Sequence, residues 1–144
     1  MFRSTGEETA ANRRCLRRNT PEWSNYGTGE WNYTQNRDVL DQFWRYGAER
    51  AKGLETLFTV SMRGNGDLPL PGANIKNLQE IVTDQRNILS ETHGTPAEQI
   101  PQIWALYKEV QGYYDTDGME VPEDITLLWS DVSVSISGVF CTYS

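Results

Sequence analysis

Apolar residues recur at helical spacing in two segments of the chain. The first segment, RDVLDQFWRYGAERAKG, predicts a helix over residues 37–52 that stops at Gly53. The second, NIKNLQEIVTDQRNILSE, predicts a helix with Asn74 as its N-cap. The apolar stripe of the first is Val39, Leu40, Phe43 and Tyr46, and that of the second is Ile75, Leu78, Val82, Ile88 and Leu89.

Three short apolar segments rich in β-formers alternate with these helices. TLFTVSM predicts a strand over residues 56–62, QIWALY a strand ending at Tyr107, and ITLLWS a strand over residues 125–130. KEVQGYYDTDG, between the last two, predicts a short helical connection. The order helix, strand, helix, strand, helix, strand indicates an α/β fold with about three parallel strands and crossover helices. Three strands cannot close or properly cover such a sheet, so we expect the chain to be part of a larger fold.

The two ends of the chain differ in composition from its middle. Residues 1–19 hold five arginines against two glutamates, and we interpret them as a disordered basic arm. Residues 20–131 have the mixed pattern of a globular segment. Residues 132–144, VSVSISGVFCTYS, carry no charge and are interpreted as an apolar tail, either an edge strand or translated non-coding sequence.

The overall composition excludes several classes of protein. The net charge of −7 argues against a nucleic-acid partner, which needs a basic face. No apolar run is long enough for a membrane helix, and the first residues lack the apolar core of a secretory signal. With His93 as the one histidine, catalytic triads and histidine-based metal sites are disfavoured. We expect no metal and no cofactor, and the sequence sets no oligomeric state.

Charged and aromatic side chains follow each predicted strand. In parallel α/β folds, ligands bind at the carboxyl ends of the strands. The first strand delivers Arg63 and Asp67, the second Tyr107 and Glu109, and the third Asp131. Two opposed carboxylates are what glycoside hydrolysis requires, and an arginine fork matches a sugar that carries its own carboxylate.

Simpler interpretations of these residues stay open at this point. Arg63 and Asp67 can pair across the Gly64–Gly66 loop, and Glu109 can be a solvated residue of a first helical turn. A carbohydrate-binding remnant without catalysis is an alternative function. A nucleotide-binding α/β protein is a third, although the GNG loop is not followed by the residues of a phosphate loop.

Several blocks of the sequence resemble glycoside hydrolase family 115. They are TPEWSNYGTGEWNYTQN, FWRYGAERAKGLETLFTVSMRGNGD, EIVTDQRNIL and IPQIWALYKEVQGYYDTDGMEVPEDITLLWSD, which together run from about Thr20 to Asp131. The resemblance implies a fragment of a catalytic (β/α)8 TIM barrel. It also implies removal of (4-O-methyl)-glucuronic acid α-1,2-linked to xylose in glucuronoxylan, by inverting acid/base hydrolysis without a metal. Full-length relatives are extracellular.

The resemblance assigns roles to residues of this sequence. Arg63 in MRGNGD matches the arginine that faces the uronate, and Asp67 matches an active-site acid of the same loop. Glu109 in YKEV matches a glutamate proposed to act in catalysis. Tyr107 and Asp131 are the further candidates for sugar contact.

The chain departs from the family pattern after LLWSD. There the family continues with a second acid and Asn-Trp-Gly, whereas Val132 and Ser133 begin an unrelated tail. The remaining barrel is missing from this sequence. We therefore expect a truncated gene product with little or no glycosidase activity of its own.

Overall fold

The computed structural model describes residues 28–64, 68–70, 72 and 74–129. Its elements in chain order are α1 (Tyr33–Arg50), β1 (Phe58–Val60), α2 (Ile75–His93), a 3-10 turn (Ala97–Gln99), β2 (Gln102–Leu106), α3 (Glu109–Asp115) and β3 (Thr126–Trp129). The predicted alternation of helices and strands is confirmed. β1 and β2 are shorter than predicted, because the chain leaves the sheet at Ser61 and after Leu106. The predicted end of the third strand, Ser130, lies outside the described residues.

Asparagine side chains begin both long helices. Asn32 accepts from the backbone N–H of Thr34, and Asn74 accepts from that of Asn77. Each bond satisfies an N–H group that has no partner inside its helix. The predicted cap at Asn74 is confirmed. Helix α1 begins four residues before the predicted Arg37, but the non-helical backbone of Asn36 separates its first turn from the rest.

The three strands form one parallel sheet in the order β1-β2-β3. Val60 pairs with Trp104, and Trp104 with Leu127, so the carboxyl ends of all three strands lie at one edge. This confirms the α/β class with three parallel strands. One edge of the sheet thus collects the residues that follow each strand.

The hydrophobic core lies between one face of the sheet and the two long helices. Alternate strand residues point into it: Phe58 and Val60 of β1, and Trp104 and Leu106 of β2, are at most 5% exposed. From the helices come Leu40, Phe43, Trp44, Leu78, Ile81, Val82, Ile88 and Leu89. Trp44 and Ile81 extend the stripes expected from the pattern, and Tyr46 is only half-buried. The intervening strand residues, such as Thr59, Ile103 and Ala105, are also half-buried.

Helices α1 and α2 are also joined by polar contacts. The hydroxyl of Tyr33 donates to Asp84 at 2.6 Å, and Arg37 pairs with the other oxygen of that carboxylate at 2.7 Å. Burial, and then the hydrogen bond to Asp84, raise the pKa of Tyr33 well above its usual range. Helices α1 and α2 are therefore joined by these polar contacts as well as by their apolar side chains.

No helix in the described part of the chain is both long and apolar enough to cross a membrane.

Candidate active site

Two neighbouring strands bring three of the predicted site residues together. Arg63 lies three residues beyond the end of β1, Tyr107 directly follows β2, and Glu109 is the first residue of α3. Because β1 and β2 are parallel neighbours, these residues meet at the carboxyl edge of the sheet. Asp67 and Asp131, the other predicted site residues, lie outside the described residues.

Arg63 and Glu109 form an ion pair at this edge. The Nη2 atom of Arg63 donates to both carboxylate oxygens, at 3.0 Å to Oε1 and 2.8 Å to Oε2. The two side chains are 17% and 23% exposed, so the pair is partly withdrawn from water. Charge-assisted bonds of this kind are about twice as strong as neutral ones. Glu109 does belong to the first turn of α3, but its carboxylate is held by Arg63 rather than simply solvated.

Tyr107 lies beneath this ion pair. The guanidinium carbon of Arg63 is 4.8 Å from the centroid of the Tyr107 ring, and Nζ of Lys108 is 4.9 Å from the same centroid. Both distances fall in the range of cation–π attraction. Two cations therefore lie close to the Tyr107 ring at the carboxyl edge of the sheet.

The backbone after β1 is held in an unusual conformation. Ser61 has a φ of 95°, in the region that residues with a Cβ rarely adopt. The side-chain amide of Gln85 in α2 binds both backbone polar groups of Ser61. Its Oε1 accepts from the N–H at 2.7 Å, and its Nε2 donates to the carbonyl at 3.3 Å. Sequence reasoning missed Gln85, although a polar residue on the apolar stripe of α2 was a signal that could have identified it.

The residues after Ser61 are held as well. The indole N–H of Trp31 donates to the carbonyl of Arg63 at 2.8 Å. The backbone N–H of Gly64 donates to the carbonyl of Leu68, and a Cβ on Gly64 would lie 2.6 Å from the carbonyl oxygen of Pro69. The glycine is required here by close backbone approach, and its φ is not positive. Trp31 carries no sequence signal that distinguishes it from other core aromatics.

A second arginine–carboxylate pair lies at the opposite edge of the sheet. Arg86 of α2 binds Asp124 through both guanidinium Nη atoms, at 2.7 and 3.0 Å, and also donates to Gln102, the first residue of β2. It lies at the amino ends of the strands, away from the carboxyl edge at which ligands bind in parallel α/β folds. Arg86 and Asp124 therefore form an arginine–carboxylate pair like that of Arg63 and Glu109, but at the opposite end of the strands.

Within the described residues, no group of three or more histidine, cysteine, aspartate or glutamate side chains could hold a metal ion. The chemistry available at the carboxyl edge is that of a cation, a carboxylate and an aromatic ring.

The sequence was also compared with known proteins. The model of glycosyl hydrolase family 115 matches residues 9–139. The chain belongs to this family. No curated protein matches it.

A solved structure of the same family is also similar. It is described as a novel family GH115 4-O-methyl-α-glucuronidase with specificity for decorated arabinogalactans. The identity is 35%, the TM-score is 0.67, and the match covers 74% of this chain and 14% of that chain. The family 115 chain thus spans about one seventh of this relative.

Family membership confirms the resemblance found in the sequence. The matched range begins before residue 20 and ends after residue 131, the limits within which the resembling blocks lie. The division of this family 115 chain into an arm, a barrel fragment and a tail stays a prediction, as do the roles of the five site residues.

Proposed function

We propose that the chain is part of the catalytic (β/α)8 barrel of an α-glucuronidase. The whole enzyme would release (4-O-methyl)-glucuronic acid, α-1,2-linked to xylose in glucuronoxylan. The observation that carries this proposal is the position of Arg63, Tyr107 and Glu109 together at the carboxyl edge of three parallel strands. Barrel enzymes of every chemistry place their active sites at this edge.

We assign Arg63 to binding the carboxylate of the sugar. A guanidinium presents five N–H donors in a planar fork, which suits the two oxygens of a uronate carboxylate. The Nη2 atom of this guanidinium donates to both carboxylate oxygens of Glu109. A bound uronate competes with Glu109 for Arg63, and Tyr107 offers an aromatic face beside the same guanidinium.

Glu109 and Asp67 are the carboxyl groups that we assign to catalysis. In inverting hydrolysis, one carboxylic acid protonates the glycosidic oxygen as the bond to the anomeric carbon breaks. The other carboxylate removes a proton from the water that attacks the opposite face of the sugar, and the two groups stand roughly 6.5–9.5 Å apart. Asp131 is assigned to sugar contact.

We expect this chain alone to have little or no hydrolytic activity. Its described residues supply three strands, whereas a closed barrel needs eight. The inner positions Thr59, Ile103 and Ala105 are only half-buried, which fits a sheet that lacks its neighbours. The matched share of the solved relative, 14%, also fits a fragment.

Decorated arabinogalactan is a second candidate for the polymer. It is favoured by the solved relative, which is 35% identical and is described as specific for that polymer. With either polymer, Arg63 would bind the carboxylate of the uronic acid that the enzyme releases. A non-catalytic uronic-acid-binding remnant is the alternative function, and it would need Arg63 and Tyr107 but no pair of carboxyl groups.

The first test measures the binding of glucuronate to the purified chain by NMR titration. Glucose is the uncharged control ligand. We expect glucuronate to bind and glucose not to bind. Arg63→Ala should abolish binding, whereas Glu109→Gln should strengthen it, because the competing carboxylate is removed. Arg86→Lys, at the opposite edge, is the matched control and should leave binding unchanged.

The second test offers glucuronoxylan and decorated arabinogalactan to the same chain. No release of (4-O-methyl)-glucuronic acid is expected from either. Release that Glu109→Ala abolishes would overturn the proposed inactivity of the fragment. Equal binding of glucose and glucuronate, or binding that survives Arg63→Ala, would overturn the role of Arg63.

A further inference from the structure

The backbone that carries Arg63 leaves the sheet through a residue in a disfavoured conformation. Ser61 and Lys108 are the two non-glycine residues with positive φ in the described part of the chain, at 95° and 51°. Each lies just beyond a strand end, and each precedes a residue of the ion pair, Arg63 or Glu109. Such conformations persist only where the surroundings hold them, and they cluster at functional sites.

A buried side chain hydrogen-bonds to both backbone polar groups of Ser61. Gln85 is 3% exposed, lies on the core side of α2 and uses both ends of its amide on Ser61. The hydrogen bond from the Ser61 N–H to Gln85 is the shorter, at 2.7 Å, and the bond from Gln85 to the Ser61 carbonyl is the longer, at 3.3 Å. A methionine or leucine of similar volume would fill the same space but could form neither bond.

The hydrogen bonds between Gln85 and Ser61 affect the position of Arg63, two residues later. With Ser61 held by Gln85 and the carbonyl of Arg63 held by Trp31, the chain between them has both ends fixed. The Arg63 side chain then projects towards Glu109 and the Tyr107 ring. If Ser61 relaxed to an extended conformation, the direction of the following residues would change.

We propose that Gln85 is a positioning residue of the candidate site, which holds Ser61 at positive φ and so aims the guanidinium of Arg63 at the sugar carboxylate. Gln85 acts through the backbone and does not touch the sugar. The identity of the ligand rests on the proposed function, but the positioning of Arg63 does not.

The test replaces Gln85 by methionine and uses Gln102→Met as the matched control. Gln102 is 1% exposed, and its amide also binds backbone carbonyls, those of Ala97 and Ile100, but at the amino end of β2. The readouts are the guanidinium N–H signals of Arg63 in the sugar-free chain, glucuronate affinity and the melting temperature.

We expect Gln85→Met to shift and broaden the Arg63 guanidinium signals and to weaken glucuronate binding about tenfold, because the competent conformation is less populated. Gln102→Met should lower the melting temperature but leave both other readouts unchanged. Adding Ser61→Gly to Gln85→Met should restore part of the affinity, since glycine adopts positive φ without a steric penalty. If residue 85 acted only through packing, Ser61→Gly would not restore glucuronate affinity.

Unchanged Arg63 signals in Gln85→Met would overturn the proposal, as would equal changes in Gln102→Met. Gln85→Glu, which keeps the acceptor for the Ser61 N–H, is the second variant if the methionine variant fails to fold. We expect it to give an intermediate change in the Arg63 signals, and no change would again contradict the proposal. Failure of the unmodified chain to bind glucuronate would contradict the proposed function, while the Arg63 signals would still decide the role of Gln85.

Discussion

Replacing Asp124 by alanine would remove the main partner of a buried arginine. The side chain of Arg86 is 10% exposed, and Asp124 binds it at 2.7 and 3.0 Å through both carboxylate oxygens. After the substitution, Arg86 would keep the Gln102 oxygen at 3.1 Å and Glu98 at 3.6 Å. The charge of Arg86, between α2 and the amino ends of β2 and β3, would then be balanced only by the more distant Glu98.

The expected loss follows from how deeply the pair is buried. Removing one partner of a fully buried pair costs about 3–5 kcal/mol. The side chain of Asp124 is 23% exposed, and Glu98 can move closer, so the loss of Coulomb energy is partly offset. We expect Asp124→Ala to lower the free energy of unfolding by about 2–3 kcal/mol.

Urea denaturation followed by far-UV dichroism and tryptophan fluorescence would measure this loss. Coincident transitions would justify a two-state free energy. The double variant Arg86→Met/Asp124→Ala should be less destabilised than Asp124→Ala, because it leaves no buried charge behind.

A matched control is available on the surface. Arg45 and Glu91 pair at 2.6 Å with side chains 44% and 62% exposed, so Glu91→Ala should cost less than about 0.5 kcal/mol. A loss in Asp124→Ala no larger than in Glu91→Ala would refute the reasoning. A double variant less stable than Asp124→Ala would refute it as well.

Three further predictions concern other parts of the fold. Tyr33→Phe removes the 2.6 Å bond to Asp84 and should cost about 1.5–3 kcal/mol in urea unfolding. Asp41→Asn should stabilise the chain at pH 7 by no more than about 1 kcal/mol, because burial, and then the charge of Asp84, raise the pKa of Asp41 above its ordinary value of 3.8. Gly64→Ala should destabilise the chain and weaken glucuronate binding, as measured by melting and titration, because its Cβ would lie 2.6 Å from a backbone oxygen.

Each of these predictions has a control or a condition that tests it. Tyr114→Phe, at an exposed tyrosine, should change stability little, and an equal effect at Tyr33 would contradict the first. The gain in Asp41→Asn should disappear below pH 3.8, where both states bind the proton, and appear as the pH rises through the folded-state pKa. A gain that persisted in acid would contradict the second. Gly112→Ala meets no atom within 4 Å, so it should stabilise α3, and a similar gain at Gly64 would contradict the third.

Sequence patterns located the secondary structure well where the information is local. Asn74 begins α2 as predicted, because a side chain that caps a helix acts on residues two or three positions away. The first strand was predicted too long because its apolar residues continue to Met62, while the backbone has already turned at Ser61.

The sequence by itself determined the α/β class, the order of the elements and the place of Arg63, Tyr107 and Glu109 after the strands. These follow from periodicity and from the rule that parallel strands share one carboxyl edge. Only the tertiary structure decided that Arg63 lies against Glu109, 46 residues away, and that Gln85 holds Ser61 across 24 residues. Neither contact leaves a local pattern, because each depends on the register of β1 against β2 and on the packing of α2 behind the sheet.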